Sequence, residues 1–347
     1  MITSIQFRNF KVLRDATLPL GPFTLIVGPN GSGKSTAMQA FGFIRNPMQY
    51  DYNKTVTAGL SAPADIEVQL TNDLAYDLIT GTTIRPVRAI LHHPDWQDED
   101  PQPPEDDGPN FDEEDRYSSP VQTALASFKM FSFDARRIAQ STQIITKAEL
   151  SEDGFGLANV LDDLSDQEPE RWKALNTELS RWLPEFDHIT FERASNNTKN
   201  FQLRTALGHH KYDACDLSQG TLFAVALLTL AYLRNPPAVV CFEEPDHGIH
   251  PRMLQNIQDA MYRLAYPKNF GANREPVQVI ATTHSPYLLD LYKDHPEEIV
   301  IAHKDEQGAH FDRLSDKPYI NEILEGGGAP LGEIWFSGIL GGVPSSP

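Results

Sequence analysis

The spacing of apolar and polar side chains predicts strands that alternate with helices. Residues 2–10 alternate well enough to indicate a strand with one buried face. The run Phe23-Thr-Leu-Ile-Val27 predicts a short strand buried on both faces, followed by a glycine-rich turn and a helix from about Ser35 to Arg45. Further strands are predicted at 65–70, 128–133, 188–191, 201–207, 211–213, 238–242, 277–282 and 298–302. Further helices are predicted from the turn at 153–156 through 164, and at 168–182, 221–234 and 251–266.

Strands and helices alternate towards both ends of the chain, which is typical of an α/β fold around a sheet. The middle is richer in predicted strands, which favours a lobe inserted between two parts of one core. We therefore predict a single head over residues 1–347. Its core is expected from 1–60 and about 186–315, its inserted lobe from about 61–185, and a C-terminal extension from 316–347.

Charge narrows the classes of protein to consider. The 347 residues carry a formal net charge of −19, and 40% are hydrophobic, which is enough for a sizeable core. Residues 92–118 hold eleven acidic residues, one basic residue and five prolines, so we expect a disordered acidic loop there. A solvated insertion is the favoured interpretation of this loop, and the alternative is an electrostatic guard that repels nucleic acid or binds a basic partner. The acidic charge argues against broad nucleic-acid binding, although it leaves room for a local basic patch.

Cysteine content and hydropathy exclude other classes. Two cysteines, Cys215 and Cys241, are too few for a disulfide scaffold or a four-cysteine metal site. The longest apolar run is too short to cross a bilayer, and the first residues do not resemble a secretory signal. We therefore expect a cytoplasmic protein with no membrane partner.

A glycine-rich octapeptide carries the clearest chemistry. Gly28-Pro-Asn-Gly-Ser-Gly-Lys-Ser35 matches G-x-x-x-x-G-K-[ST] and lies between a predicted strand and a predicted helix, as this motif requires. Glycines let the backbone wrap around a polyphosphate, and the start of the helix adds its positive end. Lys34 is expected to reach the β- and γ-phosphates, and the Ser35 hydroxyl to bind Mg²⁺. The predicted nucleotide-binding residues of this loop are Gly28, Pro29, Asn30, Gly31, Ser32, Gly33, Lys34, Ser35 and Thr36.

Two glutamates follow the apolar strand Ala238-Val-Val-Cys-Phe242. At the carboxyl end of a strand, they are expected at the sheet edge where the phosphate loop also lies. Phosphoryl transfer needs an acidic metal partner and a group that positions water. We assign Glu243 to Mg²⁺ and Glu244 to the attacking water. His284, after another predicted strand, is a candidate contact for the γ-phosphate.

These residues, in this order, resemble the ABC-type ATPase heads of the RecF and structural-maintenance-of-chromosomes (SMC) class. They are most similar to short AAA-ATPase proteins grouped with the overcoming-lysogenization-defect (OLD) enzymes, without coiled coil or nuclease domain. Residues 243–251, EEPDHGIHP, resemble that group's EEPE-x-x-L-H-P motif, and Thr283-His-Ser-Pro286 resembles its switch motif. The resemblance implies a P-loop NTPase fold with a mixed-sheet core, a β-rich lobe and a helical lobe. It also implies ATP and Mg²⁺ as ligands, with Lys34, Glu244 and His284 as catalytic residues.

The resemblance extends to a signature tetrapeptide, Leu217-Ser-Gln-Gly220. In ABC proteins this signature caps the γ-phosphate of a nucleotide bound to the other subunit, so contacts in trans are implied for Leu217, Ser218, Gln219 and Gly220. Gln219 stands where Gly or Asp is usual. Lys11, at the end of the first predicted strand, is implied to contact the base or ribose. Gln140 is the candidate Q-loop glutamine, with Arg136 as the alternative residue facing the nucleotide.

Two functions follow from the resemblance. The first is a molecular switch that binds and hydrolyses ATP and dimerises head-to-tail around it, in DNA repair or anti-phage defence. The second is a nucleotide-regulated scaffold for a separately encoded nuclease or toxin, docked through the acidic loop or the segment after Ser315. DNA is a further candidate partner. A transporter ATPase is disfavoured by the EEPD run, the THSP motif and the opening strand.

Overall fold

A computed structural model describes residues 1–45, 64–70, 75–80, 87–92, 127–145, 148–193, 197–320 and 329–341. The strands are β1 (Ile2–Phe10), β2 (Leu13–Pro19), β3 (Phe23–Val27), β4 (Asp65–Leu70), β5 (Ala75–Thr80), β6 (Val87–His92), β7 (Phe128–Phe131), β8 (Thr142–Gln143), β9 (Phe186–Arg193), β10 (Thr198–Thr205), β11 (Lys211–Asp213), β12 (Val239–Glu243), β13 (Gln278–Thr283), β14 (Ile299–Lys304) and β15 (Ala309–Arg313). The helices are α1 (Lys34–Arg45), α2 (Ala135–Ile138), α3 (Leu157–Gln167), α4 (Pro169–Trp182), α5 (Gln219–Tyr232), α6 (Leu254–Ala265), α7 (Pro286–Asp290) and α8 (Leu331–Phe336). None of the described helices combines the length and apolarity that a bilayer crossing requires.

The chain folds as two compact units. Unit 1 comprises Met1–Phe128 and Thr282–Pro347, and unit 2 comprises Lys129–Ala281, so the two boundaries fall within β7 and β13. The predicted division into core, inserted lobe and extension stays a prediction. The predicted acidic loop lies outside the described residues from position 93 onwards, and His92 is the last residue of β6.

Unit 1 contains an antiparallel sheet in the order β2-β1-β4-β5-β6. The predicted strand 2–10 is confirmed, and its Ile2, Ile5, Phe7 and Phe10 side chains are buried. The Phe10 ring packs 6.0 Å from that of Phe43 on α1. The strand β3 is buried throughout and pairs in parallel with β14, which pairs in turn with β15. An uninterrupted apolar run is what a strand covered on both faces requires.

Unit 2 combines a β-meander with a helical layer and part of a second sheet. The strands β9, β10 and β11 pair antiparallel, and β8 pairs with the start of β10. The strand β12 lies between β7 and β13. Every residue of α5 from Thr221 to Tyr232 is buried, because this helix is apolar on all sides and packs against both α4 and α6.

Several predicted boundaries shift in the structure. The strand predicted at 128–133 ends at Phe131, because the Ser132 and Asp134 N–H groups donate to the carbonyls of Glu152 and Asp153 instead. The strand predicted at 201–207 covers Thr198–Thr205 and ends at a turn that includes Gly208, whose φ is +76°. The helices predicted from Ser35 and Thr221 begin one and two residues earlier. Eight of the strands and helices above were not predicted, namely β2, β5, β6, β8, β15, α2, α7 and α8.

Candidate nucleotide-binding site

The first residue of the predicted phosphate loop has no room for a side chain. A β-carbon on Gly28 would lie 2.3 Å from the carbonyl oxygen of Ala302 on β14 and 2.8 Å from the Ser32 hydroxyl. Ala302 follows directly after the three residue pairs that join β14 to β3. The crowding therefore arises from the parallel pairing of these two strands, and glycine is required where the chain leaves β3.

Two further glycines of the loop adopt left-handed backbone conformations. Gly31 has a φ of +77° and Gly33 a φ of +97°. A β-carbon on Gly33 would also lie 2.9 Å from both the Ala309 β-carbon and the Leu13 side chain. Because side chains rarely tolerate such φ values, these glycines permit the tight path of the loop.

Lys34 is the first residue of α1 and is only 5% exposed. Its ammonium group donates hydrogen bonds to the carbonyl oxygens of Gly28, at 2.7 Å, and Pro29, at 2.9 Å. The loop thus folds around the lysine and holds its charge in place. Ser35 is exposed and Thr36 is half-buried. These two predicted nucleotide-binding residues therefore lie at the surface of the first turn of the helix.

Lys11 lies in the turn between β1 and β2 with a φ of +54°. Its ammonium group donates to Gln39 Oε1 on α1, 2.7 Å away, and lies 5.7 Å from the centre of the Phe10 ring. Burial lowers the pKa of Lys11 below its usual value. The structure therefore places the Lys11 side chain against the helix that begins at the phosphate loop.

In unit 2, the predicted metal ligand Glu243 is the last residue of β12, and the predicted catalytic residue Glu244 follows it with a different backbone conformation. The strand is buried through Phe242, and Glu243 is half-buried at its end. Glu244 has a φ of +47°, a left-handed conformation that costs a residue with a side chain about 1–2 kcal/mol. The turn that follows is closed by a 2.9 Å hydrogen bond from the His247 N–H to the Glu244 carbonyl. It brings His247 Nδ1 to 3.9 Å from Glu244 Oε2.

A pocket of about 220 Å³ opens beside these glutamates. Its lining residues are Phe131, Ser132, Phe133, Phe223, Phe242, Glu243, Glu244, Pro245 and His247. Its lining combines aromatic side chains, among them the Phe131 and Phe242 rings stacked at 5.8 Å, with the two glutamates. Sequence reasoning missed Ser132, Phe133 and His247 as neighbours of the glutamates. The sequence features that could have indicated them are the predicted strand that ends at 133, for Ser132 and Phe133, and the EEPDHG run, for His247.

The signature tetrapeptide packs on the turn that follows the glutamates. The Ser218 hydroxyl accepts the Thr221 N–H at 3.2 Å and caps the start of α5. A β-carbon on Gly220 would lie 3.0 Å from the Gly248 carbonyl oxygen, and one on Gly248 would lie 2.9 Å from Gln219 Nε2. Within unit 2, the structure thus brings the signature and the predicted catalytic turn into contact.

The remaining candidate residues are His284, Gln140 and Arg136. His284 is half-buried between the end of β13 and α7, whose first turn is capped by the Ser285 hydroxyl. Gln140 is exposed, and its side-chain oxygen accepts a 2.6 Å hydrogen bond from Arg137. Neither Gln140 nor Arg136 lines the pocket, where Ser132 occupies the position directly after β7. The roles of Gln140 and Arg136 stay predictions.

The residues present fit a magnesium–nucleotide ligand better than a protein-held metal. No group of three or more His, Cys, Asp or Glu side chains in the described ranges is arranged to hold a metal ion. Mg²⁺ commonly takes one or two protein oxygens and completes its shell with phosphates and water. Ser35 in unit 1 is exposed, Glu243 in unit 2 is half-buried, and each supplies an oxygen of the kind that Mg²⁺ takes from a protein.

Together, the loop between a buried parallel strand and a helix, and the strand ending in two glutamates, define a P-loop NTPase of the ABC-type ATPase head class. The chain belongs to the family described as "AAA domain, putative AbiEii toxin, Type IV TA system", which matches residues 23–290. The predicted fold class is confirmed, and so is the predicted resemblance to this AAA-ATPase family.

Solved structures with the same fold are SMC heads. An SMC head bound to the C-winged helix domain of ScpA superposes with a TM-score of 0.61, over 92% of this chain and 99% of that one, at 12% identity. The SMC head domain from Thermotoga maritima gives a TM-score of 0.51, over 90% and 98%, at 15% identity. At these identities the likeness establishes the fold alone.

One sequence relative shares a short segment. An OLD nuclease of Thermus scotoductus is 50% identical over 44 residues, which is 13% of this chain and 8% of that protein. Because the match spans so little of the nuclease, its activity is no guide to the activity of the whole chain.

Proposed function

We propose that the protein is an ATPase switch that binds Mg²⁺–ATP at the loop Gly28–Thr36 and hydrolyses it. The observation that carries this proposal is the binding of Lys34 by its own loop, at 2.7 Å and 2.9 Å from two carbonyl oxygens. Phosphate oxygens are stronger acceptors for an ammonium group than carbonyls are. A triphosphate in the loop therefore gains a fixed positive charge without a large rearrangement.

In the proposed reaction, Lys34 binds the β- and γ-phosphates, and Ser35 and Glu243 hold Mg²⁺. The metal supplies neutralisation of the charge that develops on the phosphates. Glu244 orients water and takes up its proton as the water attacks the γ-phosphorus, while the bond from that phosphorus to the bridging oxygen breaks and ADP leaves. His284 contacts the γ-phosphate, and Lys11 contacts the base or ribose. The left-handed backbone of Glu244 supports its role, since strained residues cluster at functional sites.

We further propose that two copies dimerise head-to-tail around ATP. In this arrangement the partner subunit's Ser218 caps the γ-phosphate bound at Lys34, and the positive end of α5 adds to the contact. Ser218 is exposed, and its hydroxyl already faces the first turn of that helix. The proposed biological setting is DNA repair or anti-phage defence, in the cytoplasm.

The test is light scattering of the Glu244→Gln protein with Mg²⁺–ATP. We expect this variant to bind ATP, to lose turnover and to double its mass, because the dimer forms and is not released. The double variant Glu244→Gln, Ser218→Arg is the matched control and is expected to stay monomeric with ATP bound. Normal turnover by Glu244→Gln would exclude the assigned base, and dimerisation of the control would exclude the composite site.

A second candidate function is a nucleotide-regulated scaffold for a separately encoded nuclease or toxin. It is favoured by exposed apolar side chains on α7, on α8 and just after α8, where Tyr287 is 64% exposed, Phe336 62% and Ile339 57%. The helix α7 begins two residues after His284, and Gly332 of α8 packs against Pro286. A movement of His284 on contact with a γ-phosphate would thus be passed through α7 and α8 to these exposed side chains.

A pull-down with and without ATP separates the two functions. The Glu244→Gln protein, purified from its native host with ATP present, is expected to retain an effector if the scaffold function is correct. The double variant Tyr287→Ser, Phe336→Ser is expected to lose it while keeping ATP turnover. Absence of any partner in the ATP-trapped state would contradict the scaffold function. Stimulation of turnover by DNA would instead favour direct action on DNA.

A further inference from the structure

The hydroxyl of the signature residue Ser218 lies against that of Thr221, in the first turn of α5. Ser218 Oγ accepts the Thr221 N–H at 3.2 Å and lies 2.9 Å from Thr221 Oγ1. A serine hydroxyl has one proton to donate and two lone pairs that accept. The direction of the bond between the two hydroxyls therefore decides whether the Ser218 proton is used within the helix cap or is left for a ligand.

Burial indicates the direction of this bond. Thr221 is 9% exposed, whereas Ser218 is exposed. Within the described residues, the hydroxyl of Ser218 is the hydrogen-bond partner that the Thr221 hydroxyl has. A buried donor left without an acceptor costs more free energy than a donor that can turn to water. Burial therefore favours a bond in which Thr221 donates and Ser218 accepts.

A second threonine of α5 uses its hydroxyl differently. Thr229 is fully buried, and its hydroxyl donates to the carbonyl oxygen of Val225, four residues earlier, at 2.7 Å. Threonines inside helices commonly make this bond to the preceding turn. The Thr221 hydroxyl is instead turned towards a side chain, as a positioning role requires.

We propose that Thr221 is a positioning residue that makes Ser218 a hydrogen-bond donor to the γ-phosphate of the partner subunit. This role depends on the proposed head-to-tail dimer. Because the N–H and the hydroxyl of Thr221 both donate to Ser218 Oγ, the Ser218 proton points outward, and the oxygens of an ionised phosphate accept it. A hydroxyl that accepts a hydrogen bond is also a stronger donor, since bonds in a chain polarise one another.

The test measures the dissociation constant of the dimer by light scattering over a range of protein concentrations, in the Glu244→Gln background with saturating Mg²⁺–ATP. Thr221→Val keeps the shape of threonine without its hydroxyl. One neutral hydrogen bond corresponds to about fivefold in an equilibrium constant, and the dimer has two composite sites, so we expect the dissociation constant to rise about 25-fold. Thr221→Ala is expected to give the same result, and Thr221→Ser, which keeps a hydroxyl, is expected to restore the dimer. Thr229→Val makes the same chemical change on the same helix and is the matched control, with no expected change.

Turnover without the Glu244→Gln substitution gives a readout that a loss of packing does not move. At protein concentrations below the dissociation constant of the dimer, we expect Thr221→Val to lower kcat and to leave the KM for ATP nearly unchanged, because ATP first binds at Lys34 of the separate subunit. The deficit in kcat is expected to shrink as the protein concentration is raised.

The outcomes separate the role of Thr221 from the proposed dimer. Equal dissociation constants for Glu244→Gln with and without Thr221→Val, at equal unfolding midpoints, would overturn the role of Thr221 and leave the dimer intact. Failure of Glu244→Gln itself to dimerise would overturn the dimer and, with it, the role of Thr221. An effect of Thr221→Ser or of Thr229→Val as large as that of Thr221→Val would show that the Thr221 hydroxyl is not what positions Ser218.

Discussion

Gln219 lies against the backbone of Gly248, close enough that a β-carbon added there would be 2.9 Å from Gln219 Nε2. Gly248 belongs to the turn that starts at Glu244, and Gln219 is the first residue of α5 after the Ser218 cap. Gln219, which the proposed dimer would place against the partner subunit's nucleotide, therefore contacts the turn that starts at the proposed catalytic residue Glu244. In that dimer, this contact would connect the two nucleotide-binding sites.

The link can be tested with two matched glycine substitutions. Gly248 and Gly271 have nearly equal φ values, +71° and +69°, but nothing lies within 4 Å of a β-carbon on Gly271. We expect Gly248→Ala and Gly271→Ala to lose similar stability, about 1–2 kcal/mol, because both strain the backbone and the Gln219 side chain can move aside. ATP turnover is expected to fall only in Gly248→Ala. Equal turnover in the two variants, measured alongside chemical unfolding, would show that Gln219 does not link the sites.

The backbone of Glu244 predicts a trade between stability and activity. Its φ of +47° suits glycine, whereas Glu243 lies in a strand. We expect the free energy of unfolding of Glu244→Gly to equal or exceed that of the natural chain. We expect the same variant to lose ATP turnover. Glu243→Gly is expected to lose about 1 kcal/mol, because glycine weakens a strand without relieving strain. Urea unfolding measures both, and a clear loss of stability in Glu244→Gly would contradict stored strain at this position.

Much of the fold could be predicted because its central elements are locally encoded. The run Phe23–Val27 and the glycine-rich octapeptide identify their strand and loop without tertiary information. Strands β2 and β15 could not be predicted in this way, since Leu13–Pro19 buries only scattered side chains and is fixed by pairing with β1. The left-handed backbone conformation of Glu244 could not be predicted either, because no local sequence rule assigns a positive φ to glutamate.

The segment after β7 is held by Asp153, which gives a dependence of stability on pH. Burial raises the pKa of this carboxyl, but hydrogen bonds from Arg137 and from the Phe155 N–H outweigh it and lower the pKa below its usual value. The native state therefore favours the carboxylate. Its contribution to stability is complete above the unfolded-state pKa, near 3.9, and is lost as the pH falls through the lower native pKa.

We therefore expect Asp153→Asn to be less stable than the natural chain at pH 7, and we expect this difference to shrink as the pH falls below about 4. Because Asp153 and Arg137 are both partly exposed, the difference is expected to be modest and smaller at high salt. Asp187→Asn is a control from the same unit that breaks a separate pair with Arg204 and leaves the segment after β7 intact. Only Asp153→Asn is expected to lower ATP turnover, since Ser132 and Phe133 line the pocket beside Glu244. A difference for Asp153→Asn that stays constant between pH 7 and pH 3 would show that the carboxylate is not what holds this segment.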